Sequence, residues 1–328
     1  AKTSYNEHQK RRRNPENMED TRFTQYGRKY AVITAALICC FLWTGFSVCG
    51  CSSENTPEKE TETETSAGKE PVELVYVDWA SETASANVVK AAIEKKLNRE
   101  CDLLSVSLIA MWESLAAGDR DGMVAAWLPS LQARFLEKFR PDVENLGPNL
   151  EGTRIGLVVP EYVDINSIEQ LKTHKARFKH KIIGIDPPAG LMKTTEKAMQ
   201  EYRLDGFELV SGSGATMTTA LGNAIEENRW IVVTGWTPHW MFARWKLKYL
   251  DDPRNVYGDE EYIGTIVRKG LEKDMPDVYH FLDNFRWSPD DMAEVMLKAQ
   301  DQDTGYPGAA RQWIEENESK VNTWVRRE

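Results

Sequence analysis

The residue pattern of this 328-residue chain indicates an α/β protein with two lobes around a ligand cleft. Strand-like and helix-like segments alternate along two stretches, 71–159 and 180–235. Repeated β-α-β-α units form parallel sheets with helices on both faces. Only Pro160 and a short connection separate the two stretches, so we expect the lobes to face each other, and ligands favour such interfaces. The chain is 41% hydrophobic, which is enough to bury a sizeable core.

The first stretch, 71–159, is predicted to form the first part of lobe I. The run Val72–Val77 is rich in β-branched residues and typical of a strand. Ser81 has the position of an N-cap for a helix over Glu82–Leu97, whose apolar residues recur at helical spacing. The other predicted elements are a strand over 103–109, a helix over 111–117, and strands over 122–127 and 154–159.

The second stretch repeats the alternation in lobe II, which we place at 160–255. Ser167 and Gln170 have the spacing of a capping box. Beyond lobe II, Ser288 followed by Pro289 is typical of a helix start. The predicted elements of lobe II are strands over 181–185, 207–210 and 230–234, and helices over 193–202 and 215–227. A strand over 263–267 and helical segments follow, so residues 256–328 are predicted to return to lobe I.

The first 50 residues form a leader whose composition differs from the rest. They carry eight Lys or Arg and four acidic residues, which leaves −14 on the remainder of a chain with net charge −10. Arg28 and Lys29 precede an uncharged segment over 30–53, as in a secretory signal. Val48-Cys49-Gly50-Cys51 resembles a lipobox, in which Cys51 would be lipidated. An uncleaved transmembrane anchor is the alternative, since about 20 apolar residues can span a bilayer.

The segment 51–70 is predicted to be a disordered acidic tether. It holds no Leu, Ile, Val or aromatic residue and therefore cannot bury an apolar face. We expect the body that follows to be extracytoplasmic and anchored to a membrane, in the periplasm or at the cell surface. Its acidic charge excludes a broad surface for nucleic acid.

The sequence carries little that is typical of an enzyme. It has no GxSxG elbow, no Walker loop and no HExxH motif. The segment 211–214 resembles half of a dinucleotide-binding fingerprint, but Met217 stands where the third glycine belongs. Cys101 is the only cysteine after Cys51 and is predicted to be a core residue, and the five His are too scattered for a metal site. We predict neither catalysis nor a cofactor or metal.

Three of the 11 tryptophans indicate a binding site. Trp79, Trp127 and Trp236 each stand at or just past the C-terminal end of a predicted strand, the edge that faces the ligand crevice of a parallel sheet. Indole rings bind quaternary ammonium groups by cation–π attraction. Near Gly190 a strand leads into a helix, whose free N–H groups favour a carboxylate. These residues indicate a cage for a small zwitterion, with buried core aromatics as the alternative.

Several segments resemble the glycine betaine-binding proteins of ABC importers, over about residues 71–326. The string Gly235-Trp236-Thr237-Pro238-His239-Trp240-Met241-Phe242 is highly specific to that family. The other matching segments are Gly156–Pro160, Gly184–Pro187, Gly190–Met192 and Leu247–Pro253. The resemblance implies a type II periplasmic-binding-protein fold, in which two Rossmann-like lobes close on the ligand about a hinge.

The resemblance also implies roles for individual residues. Trp79 and Trp127 match two cage tryptophans of one lobe, and Trp236 matches the third, from the other lobe. The backbone amides of Gly190 and Leu191 match those that hold the betaine carboxylate. These five positions are the expected core of the ligand site.

Gln132 departs from the family pattern. Relatives often have a His there that also contacts the carboxylate, whereas Gln can donate a hydrogen bond but carries no charge. The implied function is capture of glycine betaine, or a relative such as proline betaine, for a membrane permease driven by a separate ATPase. A binder of choline, carnitine or ectoine remains an alternative, as does a non-transport receptor or an enzyme on the same fold.

Overall fold

The computed structural model describes residues 69–301 and 303–326 of the chain. The predicted leader over 1–50, the predicted lipidation site Cys51 and the predicted tether up to residue 68 lie outside these residues. Within them, no helix combines the length and the apolar character needed to cross a membrane.

The first part of the described chain follows the predicted alternation. The elements in order are β1 (Val72–Tyr76), α1 (Ala80–Leu97), β2 (Cys101–Ser105), α2 (Leu108–Ala117) and β3 (Gly122–Leu128). β1 pairs in parallel with both β2 and β3. β2 ends earlier than predicted because Ser107 is the N-cap of α2, where its hydroxyl accepts a hydrogen bond from the N–H of Ala110. Cys101 is buried in β2, as expected for a core residue.

A long strand comes next and was only partly predicted. After α3 (Ala133–Phe139) the chain forms β4 (Val143–Pro160), a 3-10 turn (Ile168–Gln170) and α4 (Leu171–His174). The first half of β4 contains Gly147, Pro148 and Gly152 and has irregular register, so it carries no alternating apolar pattern. The predicted capping box at Ser167 and Gln170 is confirmed.

A second group of parallel strands occupies the middle of the chain. Its elements are β5 (Lys181–Ile183), α5 (Gly190–Glu201), β6 (Glu208–Val210), α6 (Gly214–Glu226) and β7 (Val233–Thr237). β5 pairs in parallel with both β6 and β7. β7 extends to Thr237, so Trp236 lies within the strand and not past its end, and Trp127 likewise lies within β3.

The rest of the described chain is mostly helical. It forms α7 (Met241–Arg244), β8 (Leu247–Tyr249), β9 (Glu261–Arg268), α8 (Leu271–Asp274), α9 (Pro276–Asn284), α10 (Pro289–Lys298), α11 (Gly305–Glu316) and α12 (Glu318–Trp324). The predicted start of α10 is confirmed, since Ser288 and Asp291 form a capping box and Pro289 follows the cap.

β4 joins the two parallel groups into one mixed sheet, with strand order β2-β1-β3-β9-β4-β7-β5-β6 and β8 beside β4. Up to Thr153, β4 pairs antiparallel with β9; from Arg154 it pairs antiparallel with β7 and then β8. β9 also pairs antiparallel with β3. The sheet is therefore parallel only within each group, because β4 and β9 run between them. The predicted lobe boundaries stay a prediction.

α1 is the central helix of the first group. Twelve of its 18 residues are buried, and it packs against β1, β2 and β3 and against α9, α10 and α11. Its N-cap is Trp79 in extended conformation, so Ser81, which the sequence predicts as the cap, lies in the first turn. Ser85 and Asn87 satisfy their polar atoms with backbone carbonyls four residues earlier. The buried helix can thus carry polar side chains into the core.

Candidate functional site

One small cavity brings the predicted ligand residues together. Its volume is about 30 Å³, roughly the space of one or two water molecules. All six predicted residues line it: Trp79, Trp127, Gln132, Gly190, Leu191 and Trp236. The other lining residues are Ser81, Glu82, Leu131, Ile155, Ile185 and Ala189. None of the twelve is Lys, Arg or His.

A larger groove lies next to this cavity. Its volume is about 470 Å³, and its wall includes Gly214 and His239, both of which neighbour Trp236. The groove carries the acids Asp78 and Glu226. The smaller cavity is the candidate ligand site because it brings the predicted aromatic and amide groups together.

The three tryptophan rings are held by hydrogen bonds at their polar edges. Trp79 Nε1 donates to Asp186 Oδ2 at 2.8 Å, Trp127 Nε1 to Glu82 Oε1 at 2.5 Å and Trp236 Nε1 to Ser81 Oγ at 3.1 Å. All three residues are buried. Because each indole N–H already has a partner, the rings can offer the cavity only carbon and π surface, which suits a cation without hydrogen-bond donors.

Ser81 and Glu82 connect two of these rings, and the sequence reasoning missed this role. Ser81 Oγ accepts from Trp236 and donates to Glu82 Oε2 at 2.7 Å, while the other carboxyl oxygen accepts from Trp127. Ser81 was interpreted only as a helix cap. Their position in the sequence was the signal that could have revealed this role. Ser81 and Glu82 follow Trp79 by two and three residues, so they lie in the first turn of a helix that starts at the cavity.

Glu82 is a buried carboxyl group in the cavity wall. Only 2% of its surface is exposed, and burial raises its pKa from the ordinary value near 4.5 to about 7. Hydrogen bonds from Ser81, from Trp127 and from its own backbone oppose this increase in pKa. Glu82 can therefore change its charge near neutral pH.

The start of α5 supplies backbone donors to the same cavity. Ala189 is the extended N-cap residue, and Gly190 and Leu191 are the first two helical residues. Among the described residues, neither of their N–H groups has a hydrogen-bond partner, as is usual in a first helical turn. The positive end of the helix dipole favours an anion at this place.

Gly190 is required by packing as much as by ligand access. A Cβ at this position would lie 2.7 Å from the backbone oxygen of Leu131 and 2.9 Å from its Cβ. The start of α5 therefore packs directly against the loop that follows β3. The sequence pattern had indicated only backbone donors for a carboxylate at this position.

Gln132 lines the cavity but most of its hydrogen-bonding capacity is used inside the protein. Its Oε1 accepts from Trp112 Nε1 at 2.9 Å, and its Nε2 donates to the carbonyl of Ala125 at 3.2 Å. Since an indole N–H only donates, Trp112 fixes the orientation of the amide. One amide hydrogen of Gln132 remains for a ligand.

His239 supports Trp236 without adding charge. The two rings meet edge to face with centroids 4.6 Å apart, and His239 Nδ1 accepts a hydrogen bond from the N–H of Met241. Burial lowers the pKa of His239 to about 3, so the ring is neutral at physiological pH. A neutral neighbour leaves the face of Trp236 attractive to a cation.

No group of three or more His, Cys, Asp or Glu within residues 69–301 and 303–326 is arranged to hold a metal ion.

Comparison with known proteins then gives a consistent result. Residues 70–316 match the family model for the substrate binding domain of ABC-type glycine betaine transport systems. The chain is similar to the glycine betaine/carnitine transport binding protein GbuC of Listeria monocytogenes, with 49% identity over 151 residues. That match covers 45% of this chain and only half of the Listeria protein.

Two solved structures extend the similarity over most of the described chain. Lactococcal OpuAC, in its closed-liganded conformation with glycine betaine, is 42% identical with a TM-score of 0.74. The glycine betaine/L-proline-binding protein ProX of Borrelia burgdorferi is 40% identical, also with a TM-score of 0.74. Each match covers 78% of this chain, with 100% of the lactococcal and 97% of the Borrelia chain. The fold is therefore that of these periplasmic-type binding proteins.

Proposed function

Because the chain belongs to the family of substrate-binding domains of ABC-type glycine betaine transport systems, we propose that it captures glycine betaine for import. The family consists of binding proteins and not of enzymes. The observation that carries the proposal is that Trp79, Trp127 and Trp236 line one cavity together with the first residues of α5.

The three indole rings hold the trimethylammonium group. A quaternary ammonium cannot donate a hydrogen bond, so ring faces are the natural surface for it. Each ring contributes about 0.5–2 kcal/mol when the cation is desolvated. The hydrogen bond to Glu82 lies within the β1–β3 group and keeps the ring of Trp127 in place before the ligand arrives, which lowers the entropic cost of binding. The cavity of about 30 Å³ must widen to admit the ligand, and the hydrogen bonds to Asp186 and Ser81, which connect the two strand groups, position the other two rings as it closes again.

The backbone N–H groups of Gly190 and Leu191 hold the carboxylate. Their position at the N-terminus of α5 and their lack of partners among the described residues support this role. The remaining amide hydrogen of Gln132 adds one neutral donor. The ligand thus bridges the β1–β3 group, which carries two of the rings, and the start of α5.

The wider assignment follows from the family and the sequence. The protein would deliver its ligand to a membrane permease that works with a separate ATPase. It would act outside the cytoplasm, anchored through a lipid on Cys51. Lobe I (71–159 and 256–328) and lobe II (160–255) would close on the ligand.

Calorimetry with the purified protein tests the proposed ligand. Glycine betaine should bind in the micromolar range. Its carbon isostere 3,3-dimethylbutanoate has the same shape and carboxylate but no cation, and it should bind at least about tenfold more weakly because cation–π attraction is lost. No heat with millimolar betaine, or equal affinity for the two molecules, would contradict the proposal.

A cationic ligand such as choline is the second candidate. One observation favours it: the cavity is lined by a carboxyl group and by no positively charged side chain. Choline has no carboxylate and would leave the amides of Gly190 and Leu191 unused. Competition between choline and betaine separates the two, since a betaine site should be displaced by choline only at much higher concentration.

A further inference from the structure

The carboxyl group of Glu82 forms part of the wall of the candidate site. It lines the cavity, is almost completely buried, and accepts hydrogen bonds from Trp127 and Ser81. Through Ser81 it is also linked to Trp236. A carboxylate in this position faces the same space as the rings that are proposed to surround a cation.

Within the part of the chain that the structure describes, no positive charge compensates Glu82. Apart from burial, only hydrogen bonds from Ser81, Trp127 and its own backbone act on its pKa. The buried carboxyl therefore lacks a fixed counter-ion, and an ionised form is costly until a cation arrives.

Among the described residues, the titratable groups that interact with Glu82 or with a cavity-lining residue are acidic or neutral. Asp78 precedes α1, Asp186 accepts from Trp79, and Tyr306 of α11 has a pKa raised by burial and by the charges of Asp78 and Glu82. His239, after β7, is neutral. Glu261 of β9 bonds to the loop that contains Leu131, and burial raises its pKa as well.

We propose that Glu82 is a specificity-determining residue that supplies the counter-charge for the quaternary ammonium group of the ligand. This inference rests on the proposed function. The same carboxyl also positions Trp127 and, through Ser81, Trp236, so that one residue combines the charge and the geometry of the cage. The ligand would stabilise the ionised form, and the ionised form would favour cations over neutral molecules of the same shape.

The consequence is a pH-dependent affinity. Without ligand, Glu82 is largely protonated below neutral pH, because burial raises its pKa to about 7. A bound cation lowers that pKa, so affinity should increase as the pH rises through neutrality. Glycine betaine itself does not titrate in this range, since its nitrogen carries no proton and its carboxylate is already ionised.

Calorimetry with the purified protein at pH 5.5, 7 and 8.5 tests the inference. We expect glycine betaine to bind about tenfold more tightly at pH 8.5 than at pH 5.5, from the Coulomb attraction of a nearby, partly screened charge pair. In Glu82→Gln the pH dependence should disappear, with an affinity near that of the unaltered protein at pH 5.5. The matched control Glu261→Gln removes another buried carboxyl and should retain the pH dependence.

The results separate this inference from the proposed function. Absence of betaine binding at every pH would overturn the proposed function itself. Binding that is independent of pH, or a pH dependence that survives Glu82→Gln, would overturn the role of Glu82 alone. The loss of pH dependence in Glu261→Gln would assign the titration to Glu261 instead.

A second measurement needs no variant and so does not depend on whether Glu82→Gln folds. Betaine binding at pH 7 should release up to about 0.5 proton per ligand, because a half-protonated Glu82 is driven to the ionised form. Titrations in buffers with different ionisation enthalpies report this number. Binding without proton release would overturn the inference.

Discussion

At the scale of single residues, the site depends on what holds each tryptophan. Cation–π attraction explains why tryptophan is used, but the ring must also present its face and not its N–H. The hydrogen bonds from Trp79, Trp127 and Trp236 to Asp186, Glu82 and Ser81 do this. Three polar residues therefore decide how three aromatic residues bind.

Glu82 also makes the stability of the unliganded protein depend on pH. Its pKa is about 7 in the folded state and near 4.5 when exposed, so the folded state binds more protons between these values. Below pH 4.5, Glu82 is protonated in both states and does not lower the free energy of unfolding. This free energy decreases as the pH rises towards 7, and above pH 7 it is lower by on the order of 3 kcal/mol.

We therefore predict that Glu82→Gln stabilises the unliganded protein at alkaline pH. Relative to the unaltered protein, the variant should gain about 2 kcal/mol more at pH 8 than at pH 5, because glutamine never ionises. Urea unfolding at the two pH values measures the difference. Because all other acids are common to both proteins, an equal effect at both pH values would show that the Glu82 pKa is not raised.

At the scale of elements, the start of α5 must fit closely against the loop after β3. Gly190 allows this fit, since any side chain would meet Leu131. Gly214 has the corresponding position as the first residue of α6, where the nearest atom to a Cβ would be 3.8 Å away. The two helices thus start in the same way but tolerate substitution differently.

Gly190→Ala should destabilise the protein and weaken ligand binding. The added methyl group forces α5 away from Leu131 or strains the loop, at a cost of about 1–3 kcal/mol. Gly214→Ala is the matched control and should change the melting temperature much less. Thermal unfolding and betaine calorimetry of both variants provide the comparison, and equal effects would remove the special role of Gly190.

At the scale of the whole molecule, two hydrogen bonds connect distant parts of the chain across the candidate site. Trp79, at the start of α1, donates to Asp186 in the β5–α5 connection, and Trp236 of β7 donates to Ser81 of α1. They link the β1–β3 group to the β5–β7 group, which are otherwise joined through β4 and β9. We expect them to stabilise a closed arrangement around the ligand.

Asp186→Ala should therefore accelerate ligand release. Loss of the bond from Trp79 should weaken betaine binding about three- to tenfold, mainly through a faster dissociation rate, since a hydrogen bond to a charged acceptor is removed. Asp205→Ala, at an exposed aspartate of the same region, is the control. Stopped-flow tryptophan fluorescence measures the rates. Identical release from both variants would contradict a closing role for Asp186.

The elements that the sequence predicted best have local signals. The β-branched run of β1 and the Ser-Pro start of α10 depend on neighbouring residues only, and both were found close to their predicted places. The first half of β4 was missed, because its glycines and proline are tolerated only where β9 supplies the pairing partner. β8 was missed for a similar reason, since its three residues form a strand only against β4.

The alternation of strands and helices, the family, and six of the twelve residues that line the cavity could be predicted from the sequence, because each of these leaves a short string of characteristic residues. Which groups hold those residues depends on the three-dimensional packing. Ser81 and Glu82 become partners of Trp236 and Trp127 when α1, β3 and β7 meet, at sequence separations of 155 and 45 residues. Such contacts, and the burial that raises the pKa of Glu82, arise from packing and leave no local pattern in the chain.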